Sequence, residues 1–307
     1  MKQINPIYEP LVTILLATYN GERYLAEQLD SIVWQTHTNW TILASDDGSN
    51  DQTLKILREY AITNVNGPRK GFAANFFSLI KQADSNSDYY AFSDQDDVWD
   101  PDKLERAIRW LKTVPNNEPA LYCGRTLLVD EYLKPFGYSP LFAKPPGFLN
   151  ALVQNIGGGN TMVFNRAAFN LLRQTQHSYA IVSHDWWAYL LISGAGGHIF
   201  YDPKSCISYR QHQANLVGCN SSWISRYYRM RMVFQGRLKS WIDRNNKHLY
   251  AVEQLLIPEN KHQLEQFNAA RHSRLFSRLI KIRQQGIYRQ TYLGQLGLLI
   301  AAVFNKL

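Results

Sequence analysis

Short apolar segments alternate with segments of helical periodicity along the first hundred residues, and this alternation restricts the fold more than any other feature. Residues 11–18 form a continuous, β-branched apolar run, as expected of a strand buried in a parallel sheet. The next apolar side chains, at positions 25, 29, 32 and 33, recur at helical spacing. Strand-like segments follow at 40–44 and 89–93, with helical stretches between them. We therefore predict an α/β fold, a mostly parallel sheet flanked by helices.

Polar residues follow three of these strand-like segments at the point where each segment ends. They are Tyr19, Asp47 and the cluster Asp94-Gln95-Asp96-Asp97. Open parallel sheets bind ligands beyond the carboxyl ends of their strands, so we expect these residues to converge on one crevice. The chain after the first strand reads Thr18-Tyr19-Asn20-Gly21 rather than Gly-x-Gly-x-x-Gly, which argues against a dinucleotide-dependent dehydrogenase.

The three carboxylates of Asp94, Asp96 and Asp97 lie within four residues and suggest a divalent-cation site. Like charges this close repel one another unless a cation or solvent screens them. Hard oxygen ligands suit Mg²⁺ or Mn²⁺ held together with substrate phosphates. The alternative is a solvated acidic turn, but the position at a strand end, with a second acidic site at Asp47, favours the metal.

Three residues elsewhere in the first half have chemistry that suits a nucleotide, and each also has a plainer interpretation. The carboxylate of Asp47 can accept a hydrogen bond from a base or a ribose hydroxyl, or it can serve only in a turn. Arg69 and Lys70 can neutralise a diphosphate, or they can lie in a solvated loop.

Two residues of the second half are candidates for catalysis. Asp185, in His184-Asp185-Trp186-Trp187, can act as a general base whose proton affinity is adjusted by partial desolvation beside the aromatic pair. It can equally be a contact at a helix start, with both tryptophans filling core. His212 can supply an imidazole to a metal, although a lone histidine is more often a surface or core residue.

The charge distribution divides the chain into a near-neutral body and a basic tail. Residues 1–218 carry 18 Lys and Arg against 21 Asp and Glu, and residues 219–307 carry 15 against 4. A basic, aromatic tail with Trp223, Tyr227 and Tyr228 can meet nucleic acid or an anionic membrane. The chain contains no nucleic-acid motif, so we predict peripheral membrane contact and no nucleic-acid partner. The alternative is a helical cap with a solvated basic face.

Composition excludes several classes of protein. A hydrophobic content of 45% rules out general disorder. Cys123, Cys206 and Cys219 are too few and too scattered for a disulfide framework, and we expect them to be reduced thiols of a cytosolic protein. We see no signal peptide, and no apolar stretch reaches the roughly 18 uncharged residues of a spanning helix; the closest is the C-terminal stretch from Gly294 to Phe304.

Four motifs in this order resemble family 2 glycosyltransferases, which have the GT-A fold. The motifs are residues 11–22, Ser45 to Asp51, Asp94 to Trp99, and the His-Asp-Trp-Trp run at 184–187. The last one resembles rhamnosyltransferase-like enzymes of bacterial O-antigen and capsule synthesis. The resemblance covers about residues 10–217. It implies a catalytic domain over 1–218, with a nucleotide-sugar half at about 10–118 and an acceptor half at about 119–218, followed by a helical extension over 219–307.

The resemblance also assigns roles to the candidate residues. Thr18 and Tyr19 would contact the donor, with Tyr19 bordering its base, and Asp47 would bind the base or the ribose. Asp96 would be the principal metal ligand, and Asp94 would assist it and contact the donor.

Three further roles follow in the same way. Asp97 would orient the sugar or the water shell of the metal. Asp185 would be the catalytic base of an inverting transfer, and His212 would contact the metal or the diphosphate. Position 184 is His where many members of the family have an acidic residue. No Arg-Trp motif of processive synthases follows, so we expect a single sugar addition.

The function that the resemblance implies is a metal-dependent, inverting sugar transfer. The donor would be dTDP-rhamnose, or alternatively UDP-glucose or UDP-galactose, and the acceptor an undecaprenyl-diphosphate-linked glycan. The enzyme would be cytoplasmic and peripheral on the inner face of the membrane. A non-catalytic regulator that binds nucleotide sugars or glycans is the alternative of another class, and the retained acidic cluster together with Asp185 argues against it.

Overall fold

A seven-stranded sheet forms the centre of the fold in the computed structural model, which describes residues 8–175, 181–212 and 236–307. Its strands lie in the order β10-β6-β9-β4-β1-β2-β3. Their bounds are β1 Val12–Thr18, β2 Trp40–Asp46, β3 Thr63–Asn66, β4 Tyr89–Ser93, β6 Ala120–Gly124, β9 Val163–Asn165 and β10 His198–Asp202. Only β9 runs antiparallel to its neighbours in this sheet. The predicted mostly parallel sheet is therefore confirmed.

Helices cover both faces of this sheet because the central strand is apolar on both faces. Ile14 and Leu16 of β1 pack with the helices of one layer, and Leu15 packs with those of the other. The first layer contains α1 (Leu25–Val33), α2 (Thr53–Glu59) and α4 (Lys103–Leu111); the second contains α3 (Phe72–Gln82), α5 (Phe148–Ala151), α6 (Arg166–Arg173) and α7 (His184–Gly194). The continuously apolar sequence of β1 is thus typical of a strand that is buried on both faces.

A second, four-stranded sheet braces the acidic cluster. Its order is β5 (Val98–Trp99), β11 (Ile207–Arg210), β7 (Leu127–Val129) and β8 (Pro135–Tyr138). The acidic cluster lies between β4 of the large sheet and β5 of this one, and β5 pairs antiparallel with β11. Strand β11 therefore reaches the acidic cluster from a distant part of the chain.

The C-terminal part is helical, as predicted, and shares a core with α7. It contains α8 (Arg237–Ala251), α9 (Pro258–Arg271), α10 (Leu275–Gln284) and α11 (Tyr292–Val303). Ile242 and Phe267 are fully buried in the same apolar cluster as Trp187. The Asn260 side-chain amide donates to the carbonyls of Ser193 (3.0 Å) and Gly194 (3.1 Å), which satisfies acceptors at the end of α7.

Some sequence predictions lie outside the described residues, among them Trp223, Tyr227, Tyr228, Cys219 and the boundary at 218. Cys123 and Cys206 are buried thiols. No helix within the described ranges has both the length and the apolar character needed to cross a bilayer.

Candidate active site

The residues that follow β1, β2 and β4 lie together at one edge of the large sheet. The three strands are adjacent and parallel, and their register pairs Thr18 with Asp46 and Leu16 with Ser93. Tyr19, Asp47 and Asp94 therefore leave the sheet side by side at its carboxyl edge. This is the crevice in which open α/β sheets bind ligands.

A reciprocal pair of hydrogen bonds ties the loop after β1 to the acidic cluster. The Tyr19 amide donates to Gln95 Oε1 (2.8 Å), and Gln95 Nε2 donates to the Tyr19 carbonyl (2.9 Å). Gly21 lies so close that a Cβ there would overlap the Gln95 side chain. The Tyr19 side chain itself stays 58% exposed, so its ring is accessible at the rim of the crevice.

Thr18 and Asp46 shape the turn after β2 from within. Thr18 is buried, and its hydroxyl donates to Asp46 Oδ2 (3.0 Å). The other Asp46 oxygen accepts from the amides of Gly48 (3.1 Å) and Ser49 (2.8 Å). The Thr18 side chain is thus engaged with Asp46, and a contact with the donor stays a prediction for it.

Asp47 binds the loop that carries Arg69 and Lys70. Its two carboxylate oxygens accept from the amides of Arg69 (2.5 Å) and Gly71 (3.1 Å). The Arg69 side chain lies over Gly48, where a Cβ would come within 2.8 Å of its Nε. These contacts bring the three predicted nucleotide contacts of this region, Asp47, Arg69 and Lys70, to one side of the crevice.

The three carboxylates of the acidic cluster have different surroundings. Burial and the charges of Asp96 and Asp185 raise the pKa of Asp94 to about 7. Asp96 Oδ2 lies 2.8 Å from His212 Nε2. Asp97 is fully buried and accepts from Asn160 Nδ2 (2.5 Å) and the amide of Arg210 (3.2 Å). The Asp97 carboxylate therefore forms hydrogen bonds inside the protein, and its role in orienting the sugar stays a prediction.

Asp185 lies in the first turn of α7, and its charge acts on the acidic cluster. The Trp186 amide donates to Asp185 Oδ1 (2.7 Å), so the carboxylate does contact the helix start. The same charge contributes to the raised pKa of Asp94, which means that both carboxylates belong to one site. Both tryptophans that follow are core residues: Trp186 Nε1 donates to the Ala151 carbonyl, and Trp187 Nε1 to Thr175 Oγ1.

His184 packs as an aromatic residue behind Asp185. Its ring stacks on Phe76 with centroids 3.7 Å apart and lies against Gly159, where a Cβ would overlap it. Burial lowers the pKa of His184 to about 4, and neither ring nitrogen has a hydrogen-bond partner among the described residues. The triple glycine therefore contributes Gly159 as the residue that makes room for this ring.

The predicted metal ligands fit a cation that is shared with a substrate. No three His, Cys, Asp or Glu side chains in the described ranges are already arranged around a common point. Asp96 and His212 are nevertheless in contact, and Asp94 has a pKa raised partly by the charge of Asp96. Sites for Mg²⁺ typically use one or two carboxylates and complete their coordination with substrate phosphates and water, so this donor set fits.

Comparison with known proteins decides the family. The family model described as "Glycosyl transferase family 2" matches residues 13–171, more than half of the chain. The chain belongs to glycosyltransferase family 2.

Individual relatives of this glycosyltransferase agree with that family. It is 34% identical over 234 residues to the dTDP-rhamnosyl transferase RfbG of Shigella flexneri, covering 71% of this chain and 78% of that protein. It is 28% identical over 165 residues to WfgD of Escherichia coli, a UDP-Glc:alpha-D-GlcNAc-diphosphoundecaprenol beta-1,3-glucosyltransferase, covering 52% of this chain and 62% of that protein.

Solved structures show the same fold. TarS (residues 1–349) of S. aureus, solved with UDP-GlcNAc, superimposes with a TM-score of 0.55 at 15% identity, covering 96% of this chain and 89% of that one. The mannosyltransferase PcManGT of Pyrobaculum calidifontis gives a TM-score of 0.52 at 16% identity, covering 98% and 87%. The GT-A fold expected from the resemblance is confirmed.

Sequence reasoning missed two buried cations beneath the acidic cluster of this glycosyltransferase. Lys103 Nζ donates to the Asn160 carbonyl (2.7 Å) and lies over the Trp99 ring, and burial lowers its pKa to about 7. Position 103 precedes Ala107 and Leu111 of α4 at intervals of four residues, on the core side of that helix. That spacing is the signal that identifies it as buried.

Arg210 is the second buried cation and is 1% exposed. Its guanidinium donates to the carbonyls of Asp96 (2.9 Å) and Glu131 (2.7 Å), forms an ion pair with Glu27 and stacks on Tyr24. Strand β11 is short and does not alternate clearly between buried and exposed residues. Nothing in its sequence therefore separates Arg210 from a surface arginine.

We expect Arg210→Ala to lower the free energy of unfolding by about 2 kcal/mol, because it leaves two part-buried carbonyls without their donor and the half-exposed Glu27 without its partner. Urea denaturation measures this difference. Arg109→Ala is the matched control, since Arg109 pairs with Glu105 on the exposed surface of α4 and should change stability by less than about 0.5 kcal/mol. Equal, small effects of the two substitutions would show that Arg210 does not hold the cluster.

Proposed function

We propose that this glycosyltransferase transfers one sugar from a nucleotide-sugar donor to a hydroxyl of a lipid-diphosphate-linked glycan, with inversion at the anomeric carbon. The first candidate donor is dTDP-rhamnose, because the relative RfbG is a dTDP-rhamnosyl transferase that matches 71% of the chain. UDP-glucose or UDP-galactose is the alternative, in line with the UDP-Glc-dependent WfgD. The acceptor of WfgD, a GlcNAc-diphosphoundecaprenol, supports a lipid-diphosphate acceptor for this enzyme.

The observation that carries the proposal is that Tyr19, Asp47 and Asp94 leave the sheet side by side at its carboxyl edge, where the charge of Asp185 also contributes to the raised pKa of Asp94. A donor whose diphosphate lies at Asp94 and Asp96 has its anomeric carbon near the start of α7. Asp185 then accepts the proton of the acceptor hydroxyl as that oxygen attacks. Tyr19 and Asp47 hold the nucleoside at the other end of the crevice.

A divalent cation, Mn²⁺ or Mg²⁺, is part of the proposal. Asp94, Asp96 and His212 would hold it, and bound there it would stabilise the negative charge that develops on the leaving nucleoside diphosphate. Arg69 and Lys70 act on the same diphosphate from the loop that Asp47 binds.

We expect Asp185→Asn to reduce transfer by about 10²–10⁴-fold while donor affinity changes little, because the amide cannot accept the proton. The assay is a panel of dTDP- and UDP-sugars with Mn²⁺ and a synthetic lipid-diphosphate sugar, and donor binding is measured by calorimetry. Asp84→Asn, an exposed carboxylate at the end of α3, is the control. Loss of donor binding in Asp185→Asn would assign this residue another role, and a wild type that binds donors without any transfer would favour the regulator.

Affinity for Mn²⁺ in the presence of a nucleoside diphosphate is expected to fall as pH drops through about 7. The raised pKa of Asp94 means that its carboxyl is protonated below this value, and a metal ligand must be deprotonated. Calorimetric titrations between pH 5.5 and 8.5 measure the slope, and Asp94→Asn should reduce it by one proton. An unchanged slope in this variant would exclude Asp94 from the metal site.

We further propose that the C-terminal helices bring the enzyme to the cytoplasmic face of an anionic membrane. Helices α10 and α11, with the residue after α11, carry a set of exposed apolar side chains, which we call the apolar face: Phe276, Ile280, Tyr292, Leu293, Leu296, Leu299, Val303 and Phe304. Most of its α11 members recur at intervals of three or four residues, opposite the buried Leu298 and Ala301. The excess of 15 basic over 4 acidic residues in 219–307 complements an anionic bilayer.

Flotation with phosphatidylglycerol vesicles tests the apolar face. The wild type should float at low salt, and the triple variant Phe276→Ser, Leu293→Ser and Leu296→Ser should not, because each serine removes an apolar contact with the bilayer. Tyr132→Ser, an equally exposed aromatic position in the catalytic part, should float like the wild type. Failure of the wild type to float would contradict membrane binding. If the wild type is a dimer and the triple variant a monomer, the apolar face serves in self-association instead.

A further inference from the structure

A cleft of about 610 Å³ opens between the catalytic part and the C-terminal helices. Lys70 lies on one wall, Arg244, Lys247 and His248 of α8 lie on the other, and Phe72 and Ile181 provide apolar surface. We call it the basic cleft. Among the described residues that line it, none has an acidic side chain. Its charge and its apolar surface together suit an anionic amphiphile.

The basic wall belongs to a helix with a fixed position. Arg244, Lys247 and His248 are spaced i, i+3 and i+4, so they share one face of α8. The other face is anchored in the core, where Ile242 and Leu249 are fully buried. The cations therefore project from a rigid element, which favours a binding site over an arbitrary patch of surface charge.

Arg244 and Lys247 are exposed, and neither forms an ion pair with any residue in the described ranges. Lys239 on the same helix differs, since its Nζ lies 3.2 Å from Asp243 Oδ2. Two cations that point into a cleft without an internal counter-charge are available to a ligand. Arginine binds phosphate oxygens with two parallel hydrogen bonds, and lysine adds a point charge.

The cleft adjoins both halves of the candidate active site. Phe72 on its surface contacts the His184 ring, with centroids 5.9 Å apart, and His184 directly precedes Asp185. Gly71, another lining residue, donates its amide to Asp47. The cleft therefore adjoins the start of α7, at the residue that precedes Asp185.

We propose that the basic cleft binds the diphosphate of the acceptor lipid and so positions the acceptor sugar at Asp185. The inference rests on the proposed function and deepens it by naming the site of the acceptor. The donor diphosphate is assigned to the acidic cluster, its cation, Arg69 and Lys70, so Arg244 and Lys247 of α8 are available for a second phosphate group. Phe72 and Ile181 pack against the apolar parts of the same ligand.

Decyl diphosphate is a probe that carries the shared chemistry without any sugar, and its binding needs no turnover. We expect the double variant Arg244→Gln and Lys247→Gln to bind it at least about tenfold more weakly than the wild type in calorimetry, since two charge-assisted contacts are lost. Affinity for dTDP and UDP with Mn²⁺ should stay the same. Lys239→Gln, on the same helix but outside the cleft, should match the wild type in both titrations.

Transfer assays give a second, independent measure. With a diphosphate-linked acceptor, the double variant should show a KM raised at least about tenfold, and with a neutral alkyl glycoside of the same sugar its KM should equal that of the wild type. Equal effects on both acceptors, or no effect on decyl diphosphate binding, would overturn the proposal. A parallel loss of dTDP and UDP affinity would assign the cleft to the donor instead.

Two further outcomes separate this inference from its neighbours. Lipid headgroups are another source of phosphate, so the double variant is also floated with phosphatidylglycerol vesicles. Unimpaired flotation is expected, whereas its loss would assign these cations to the bilayer. A wild type that binds decyl diphosphate through Arg244 and Lys247, yet transfers no sugar to any diphosphate acceptor, would contradict the proposed function and leave the phosphate site intact.

Discussion

The active site depends on placing three carboxylates within four residues at the end of a buried strand. Such a turn is unstable by itself because like charges repel and because burial raises the pKa of Asp94 and Asp97. The fold compensates with two basic residues from distant segments, both almost inaccessible to solvent. Lys103 of α4 lies beneath the cluster, and Arg210 of β11 donates its backbone amide to Asp97 and its guanidinium to the Asp96 carbonyl. Removing either partner of such an arrangement leaves an uncompensated buried charge. The second sheet holds Arg210 at the cluster, because β11 pairs with β5 directly after the three carboxylates.

The features of the fold that the sequence predicts are those with a local signal in the chain. Apolar runs and helical spacing predicted the parallel strands, and strand ends predicted that Tyr19, Asp47 and Asp94 would lie together. The antiparallel direction of β9 was not predicted, because a strand of three residues is too short to show a periodic pattern. The burial of Arg210 was not predicted either, because it depends on contacts with Tyr24, Glu27 and Glu131, none of which is near it in sequence.

The environment of Asp185 shows how a departure from a family pattern can be accommodated. The resemblance to the family implies an acidic residue where this chain has His184, and here the ring packs between Phe76 and Gly159 as an uncharged aromatic group. An imidazole with a pKa near 4 adds no positive charge beside Asp185 at neutral pH. The charge near the base is therefore set by the acidic cluster rather than by its sequence neighbour, and residue 184 serves to fix the start of α7.

The C-terminal helices are an integral part of the folded protein rather than a separate appendage. Their apolar side chains enter the same core as α7, and Asn260 binds the carbonyls at the end of that helix. The helix that presents Asp185 is thus supported at its far end by the part of the chain that carries most of the net positive charge. A basic segment that only steered the enzyme towards a membrane would not need such a connection. Because α8 packs on the catalytic core, the cations of its outer face have a defined position relative to Asp185, as recognition of an anionic acceptor requires.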